Sequence, residues 1–468
     1  MKLYGRKVIY TDADHVDANN VVDVLSRSTP TFQFNAMQTQ ILYDYYVGKH
    51  DIYEKKVKTV RPEIDNKIVE NRANEIVSFK TGYLMGEPVQ YVPRGAEDVS
   101  KDLSLLNDYV ASEDKATKDK DLADWFHISG TSYRMICPDK MGEEDDSPFE
   151  IYTLDPRDTF VVYNSRLGDR PVMGVKVVRR TLIPDIYCCW TDKEYFEIVN
   201  GKIVKSDVHY MGDVPIIEYP ANQSRLGAFE IVIDLIDALN KLASDRLDGV
   251  DQFIQALMIF KGVDITAEDF GELKKQGALK VPLDGDVKYL IQELNQSQTQ
   301  NLVDYTYQTM LDICGMPNRN GGSSTSDTGA AVILRDGWSA AETRAKTTEM
   351  MFKMSEKRFL KIALRIMNTI KKTSLKLSNI EIHFTRRNYE NIQDKAQVLV
   401  TMLNSGKIHP ELAFQHCGMF IDPEAAYLMS EKYVKEREES ELKLLEASRE
   451  NEVNESRDEV EETVTDEV

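Results

Sequence analysis

From Thr328 to Lys372 the chain runs without a proline, TGAAVILRDGWSAAETRAKTTEMMFKMSEKRFLKIALRIMNTIKK. Its apolar residues Phe352, Phe359, Ile362, Ala363, Ile366 and Ile370 recur at three-and-four spacing, which places them on one face of a helix. The pattern predicts one long helix. Ser326, Asp327 or Thr328 would cap its first turn, and Lys371 and Lys372 suit the negative end of its dipole. A straight helix of that length would span roughly 65 Å, wider than a typical domain, so it is expected to act as a spine with Gly337 and the Trp338-Ser339 step as a place to bend.

A second helical pattern begins near Ala228, AFEIVIDLIDALNKLASDRLDGVDQFIQALMIF. Val232, Leu235, Ile236, Leu239, Leu242, Ala243, Val250, Phe253, Ile254 and Leu257 form its stripe, and Asp234, Asp237, Asp245, Asp248 and Asp251 lie largely off it. A compact excursion follows. Thr266 and Asp269 have capping-box spacing for a short helix, TAEDFGELKKQG, and ALKVP and VKYLIQEL suggest a hairpin turning at Asp284-Gly285. The helix SQTQNLVDYTYQTMLDICGM and the loop PNRNGGSSTSD lead back to the spine.

The first half alternates differently. Residues 1 to 29 are polar, with Asp12, Asp14, Asp17 and Asp23, and are expected to form a flexible arm. Helical stretches are expected in QTQILYDYYVGKH, in NKIVENRANEIVSFKTGYLMGE before the strand PVQYV, and from Asp102 to His127. Seven short strands then follow, TSYRMICP, FEIYTL, TFVVYN, VMGVKVVRR, IYCCW, YFEIVNG and KIVKSDVHY. Asp155-Pro156, Gly168-Asp169 and Asn200-Gly201 punctuate them, implying a mostly antiparallel sheet. Gly142 to Asp146 is an acidic hairpin tip without EF-hand spacing. After the spine, NIEIHFTRR is a predicted strand, and residues 392 to 439 contain short helices.

Composition narrows the function. The 468 residues, 42% hydrophobic and 29% charged, suit a soluble chain of two to four domains. The N-terminus lacks an apolar leader pattern and no window reaches membrane-span length, which points to the cytoplasm or to something assembled there. Cys137, Cys188, Cys189, Cys314 and Cys417 are odd in number and lack zinc spacing, and are expected to be reduced thiols. A net charge of -20 opposes tight gripping of nucleic acid but permits sliding past it. The segment Glu431 to Val468 holds 15 acidic and 6 basic residues, and its last part is too poor in apolar residues to pack.

Candidate chemistry is sparse. The loop Asn318 to Gly329 at a helix start could cradle phosphate, yet it lacks the lysine of a P-loop and there is no GxGxxG. His383, His409, His416 and Cys417 fit no zinc spacing, and no GxSxG or HExxH occurs. The aspartate row could bind Mg²⁺ in a nuclease or other hydrolase, with Asp245, Asp248 and Asp251 as ligands, but no histidine or repeated ligand motif accompanies it. A solvated or channel-facing acidic stripe is the better reading. No catalytic residue, metal or cofactor is assigned.

Several stretches together carry a resemblance: LYDYYVGKHDI, NKIVENRANEIVSFKTGYLMGEPVQYV, YTLDPRDTFVVYN, VPIIEYPANQSRLGAFEIVIDLIDALN and SDTGAAVILRDGWSAAETRAKTTEMMFKMSEKRFLKIALRI. In this order and spacing, over most of residues 35 to 430, the chain resembles the portal proteins of tailed bacteriophages, of the type found in long-tailed phages of Gram-positive hosts. The resemblance implies an α+β fold with an α/β wing, a helical stem, a small α/β clip, a long spine helix and a helical crown. It implies the wing at 30–226 with a strand at 379–387, stem helices at 227–258 and 295–316, and the clip at 259–294. The tunnel loop would be 317–329, the spine 330–373 and the crown 395–435, with an arm at 1–29 and a disordered acidic tail at 436–468.

The function so implied is a ring, usually a dodecamer, at one capsid vertex. It would conduct double-stranded DNA during packaging and ejection and dock the terminase large subunit and then the head-tail adaptor, in contact with major capsid and scaffolding proteins. Such a protein is not an enzyme, touches no membrane, and belongs to the virion after assembly in the host cytoplasm. Asn318, Arg319, Asn320, Gly321, Gly322, Ser323, Ser324 and Thr325 would approach the DNA. The Asp234 to Asp251 stripe would face the channel. Where relatives often place Ser as a helix cap, this chain has His409 before Pro410. Another structural capsid component is the remaining alternative.

Overall fold

The computed structural model describes residues 4–59, 62–94, 99–139, 147–254, 257–261, 286–290, 296–318, 337–385, 392–420, 423 and 426–443. They fall into two compact units, one containing the described residues up to 385, the other those from 392 onward.

In the first unit, strand β1 (Ile9–Thr11) precedes helix α1 (Val21–Tyr46). Helix α2 (Arg72–Leu84), strand β2 (Gln90–Pro93), and helices α3 (Ser100–Ser112) and α4 (Lys115–Ser129) follow. Strands β3 (Thr131–Pro138), β4 (Phe149–Leu154), β5 (Thr159–Asn164), β6 (Pro171–Val178), β7 (Ile186–Trp190), β8 (Glu194–Val199), β9 (Lys202–Val208) and β10 (Ile216–Pro220) make up the strand-rich region. Then come helix α5 (Ile233–Ile254), strands β11 (Leu257–Lys261) and β12 (Asp286–Leu290), and helices α6 (Gln296–Cys314) and α7 (Trp338–Lys371). Strand β13 (Ile380–His383) closes the unit.

The expected sheet is two sheets. One has the order β1-β5-β6-β7-β8-β9, the other β10-β3-β4. Asn200 and Gly201 both take positive φ, 51° and 71°, as the tight β8–β9 hairpin requires. The strand expected after the spine pairs antiparallel with β2. Helix α7 packs its apolar face against α3, α4, β3, β4 and β10, burying Phe352, Phe359, Ile362, Ala363 and Ile366. Ile370 is instead 50% exposed.

Several expectations are corrected. Residues 4–29 are not a free arm: β1 runs parallel to β5, and Val16, Val21, Val24 and Leu25 join Phe32 in a core with Phe160 and Val162. Arg6 and Glu230 form a buried ion pair at 2.5 Å. Helix α1 passes through Pro30, tolerating one lost backbone bond because the tertiary contacts on either side hold it. The second long helix ends at Ile254, and the apolar run LMIFK becomes β11, paired antiparallel with β12. A short apolar run fits helix and strand equally well, and here a cross-strand partner decides it. The segments TAEDFGELKKQG and ALKVP, and the Asp284-Gly285 turn, lie outside the described residues.

The spine is shorter than expected. Gly337 has φ +81°, a left-handed conformation that ends helical continuity there, so α7 starts at Trp338 and is about 51 Å long. The caps expected at Ser326 to Thr328 lie outside the described residues, as do 330–336.

The second unit holds helices α8 (Ile392–Asn404) and α9 (Pro410–Cys417) and a helical segment at 426–443. Leu399, Ala413, Phe414 and Cys417 form its core. His409 performs the capping, its Nδ1 accepting the Glu411 N–H at 3.3 Å. Residues 436–443, expected to be disordered, continue the last helix with Arg437 paired to Glu441 at 2.9 Å. Residues 444–468 lie outside the described set.

Candidate nucleic-acid interface

The helix pair α5 and α6 carries the expected acidic stripe. Ile236 and Leu239 of α5 pack on Met310, Leu311 and Cys314 of α6 and on Ile76 and Val77 of α2, which fixes the direction of every other face of α5. The five carboxylates do not form one free row. Asp234 and Asp245 are exposed. Asp237 is half-buried and accepts the Tyr45 hydroxyl at 3.1 and 3.2 Å. Burial raises its pKa, with the Tyr45 bond opposing.

Asp248 is only 3% exposed. Its Oδ1 accepts both the backbone and side-chain amide of Asn66 at 2.8 Å, and Oδ2 pairs with the Lys58 ammonium. Burial would raise its pKa, but Lys58 and Asn66 outweigh that and hold it below the usual carboxylate value. Asp251 accepts Asn66 Nδ2 at 2.8 Å. The pattern extends along the helix: Ser244 Oγ accepts the Ile68 N–H at 2.9 Å, and Asn240 Oδ1 accepts the Glu70 N–H at 3.0 Å.

Every second amide of an extended strap is thus taken by every fourth residue of α5. The geometry explains the match: two extended residues advance about 6.6 Å and four helical residues about 6.0 Å. A strap without a neighbouring strand must satisfy its amides otherwise, and this face of α5 does so. The expected Asp237, Asp248 and Asp251 members of the stripe are therefore engaged by the chain itself. Of the three aspartates of the Mg²⁺ reading, Asp248 is taken by the Lys58 ammonium and the Asn66 amides, Asp251 accepts Asn66 Nδ2, and Asp245 is exposed.

Of the expected DNA-approaching residues, Asn318 is described and half-buried. Arg319, Asn320, Gly321, Gly322, Ser323, Ser324 and Thr325 lie outside the described residues. The chain on either side of that segment is brought together: a Cβ built on Gly337 would lie 3.8 Å from the Pro317 Cα. Trp338, at the start of α7, sits 6.0 Å from the rings of both Phe79 and Tyr83.

Further along α7, Glu356 is fully buried. Lys115 Nζ approaches its Oε1 at 2.8 Å and Arg134 its Oε2 at 3.2 Å. Tyr91 and Tyr219 donate their hydroxyls at 2.5 and 2.6 Å. Asp119 completes the balance, pairing with Lys115 at 2.6 Å and with Arg134. Burial would raise the Glu356 pKa, but the Lys115 and Arg134 charges reverse this and bring it down to about 2. Nearby, Ser355 Oγ donates to the Glu218 carbonyl at 2.7 Å, and the Glu218 carboxylate pairs with Arg225 at 2.6 Å. The spine is thereby locked to β3, β10 and α4. Sequence reading missed this network, although Glu356 falls on the Phe352, Phe359, Ala363 stripe, where a charge signals a buried partner.

The arrangement fixes α7 against β3, β10 and α4 and leaves Asp234 and Asp245 exposed on α5. Among the described residues no three His, Cys, Asp or Glu side chains cluster as metal ligands, and no helix is long and apolar enough to cross a membrane.

The family profile described as "Phage portal protein, SPP1 Gp6-like" matches residues 34–455. The chain belongs to the phage portal protein family. The portal protein of Bacillus phage SPP1 is 23% identical over 435 residues, covering 81% of this chain and 80% of that protein. Two solved particle structures contain similar chains. One, titled "Neck of empty GTA particle computed with C6 symmetry", matches at 13% identity and a TM-score of 0.46 over 75% of this chain and 90% of that one. The other, "Virion of native gene transfer agent (GTA) particle", matches at 13% identity and a TM-score of 0.45 over 82% and 94%. As a phage portal protein the chain is a component of the virion, and the α+β class read from the sequence holds.

Proposed function

We propose that the protein closes into a homo-oligomeric ring, a dodecamer, at one capsid vertex, and that the ring conducts double-stranded DNA during packaging and ejection. The observation that carries this reading is the portal-family match over residues 34–455. Apolar side chains support it: Leu247 and Val250 on α5, Leu302 and Tyr305 on α6, and Met350 and Met354 on α7 are exposed, and head-to-tail packing of copies would cover them.

In this reading the two sheets with α1 to α4 form the wing, α5 and α6 the stem, the β11–β12 region the clip, α7 the spine and the second unit the crown. Residues 318–325 approach the DNA. Asp234 and Asp245, the exposed members of the acidic row, face the channel and keep phosphate mobile by repulsion. The terminase large subunit and later the head-tail adaptor dock at the clip, and major capsid and scaffolding proteins surround the ring. The protein performs no catalysis itself and assembles in the host cytoplasm. Measuring DNA packaged per particle, with the ring supplied in trans, tests the conduit. A particle population that packages normally without this protein would overturn it.

A further inference from the structure

Where the first half of α7 passes the C-terminus of α6, a cavity of about 280 Å³ lies between these helices, α2 and the loop after β10. Lys80 and Arg344 both line it, and none of its described lining residues is Asp or Glu. A small adjoining cavity shares Lys80, His127, Arg344 and Thr348 and has no carboxylate among its described lining residues. In a chain of net charge -20, the charged side chains among the described lining residues are cations.

Each cation is held in place with capacity to spare. Lys80 Nζ donates to the Cys314 carbonyl at 2.8 Å, which uses one of its three donors. The Arg344 stem lies over Gly315, where a Cβ would come within 2.4 Å of Arg344 Cδ. Among the described residues the Arg344 guanidinium has no hydrogen-bond or ion-pair partner. Asn222 Nδ2 donates to the Leu226 carbonyl and keeps its second N–H. The Thr347 and Thr348 hydroxyls donate to carbonyls of their own helix.

The surrounding groups do not neutralise the pair. His127 is buried, hydrogen-bonded to Thr81 at 3.1 Å, and burial pushes it well below its ordinary pKa, so it is neutral. Glu342 is engaged by the Tyr83 hydroxyl at 2.9 Å and by Lys346 at 3.5 Å. Glu230 is engaged by Arg6 and by the Gly5 and Gly227 amides. Burial lowers the Lys80 pKa and the Arg344 charge lowers it further, the Cys314 thiol alone opposing.

We propose that this cavity is an oxyanion site that takes phosphate between Lys80 and Arg344, either as the free ion or as a nucleic-acid backbone group. Two cations lining one cavity with no counter-charge among its described residues suit a tetrahedral dianion, and charge-assisted bonds from an ammonium and a guanidinium are the strong kind. The site stands on residues of one chain and does not depend on the ring.

Inorganic phosphate is titrated into the full-length protein at fixed ionic strength, with ³¹P line broadening and calorimetry as readouts. Saturable binding is expected. Arg344→Gln, which breaks no bond among the described residues, and Lys80→Met should each weaken it at least tenfold, the loss of about one charged hydrogen bond. Lys80→Arg should retain it, and so should Lys346→Gln on the same helix. Absence of saturable binding, or equal weakening by Lys346→Gln, overturns the site. A short duplex that displaces phosphate from the wild type but does not bind Arg344→Gln assigns the site to backbone phosphate. Retained phosphate assigns it to the free ion, and the oxyanion site stands in both cases.

Discussion

Glu356 shows how one side chain can fasten the spine. Its carboxylate is buried with no water contact and is balanced by Lys115 and Arg134. Removing its charge leaves two buried cations facing Asp119 alone, so Glu356→Gln should cost about 3–5 kcal/mol, read as a fall in melting temperature. The pH dependence has a defined sign. Because the folded pKa, about 2, is below the ordinary 4.5, the stabilisation is present above pH 4.5 and is lost as pH falls toward 2. In the Glu356→Gln variant the loss of stability between those pH values should shrink, and an unchanged acid profile would contradict the assignment.

Residue identity was legible in the sequence where a single rule governed it. The Asn200-Gly201 turn and the strands TSYRMICP and TFVVYN were readable to the residue because turn residues bound them. Glu356 and Arg134 were not, since a charged residue in an apolar stripe reveals that it has a partner but not which one. Asp248 misled for the same reason: it lies off the apolar stripe of α5, and only the path of residues 66–70 shows that the polar face is occupied.

At the scale of elements, α5 is two-sided, with one face on α6 and α2 and the other gripping the strap. The expected consequence is local. Asp248→Ala should cost about 2–3 kcal/mol and accelerate amide hydrogen exchange at residues 66–70. Asp245→Ala, at an exposed position, should change stability by no more than about 0.5 kcal/mol. Equal exchange in the two variants would refute the strap. The paired change Asp234→Lys and Asp245→Lys should leave the fold intact and reduce packaged DNA if these carboxylates line the channel. Replacing residues 318–325 with a short Gly linker should likewise preserve assembly and impair packaging. Normal packaged DNA in that variant would refute the contact.

The element order was largely legible: helix, excursion, helix, loop, long helix is the order of α5, β11–β12, α6 and α7. The misreadings share a cause, tertiary pairing that local pattern does not encode. LMIFK is a strand because β12 lies beside it, and residues 4–29 are ordered because β5 accepts β1 and the α1 core accepts Val16 to Leu25. Gly337 ended the spine earlier than its apolar spacing suggested, because a residue with φ +81° cannot continue a helix.

On the scale of the whole molecule, the chain carries exposed apolar residues on α5, α6 and α7, and it belongs to the phage portal protein family. Both point to a partner that is another copy of itself. Native mass spectrometry of the purified protein, with class averages from negative-stain images, tests this most directly. The account predicts a closed homo-oligomer with a central hole. Monomers alone at high protein concentration would contradict it.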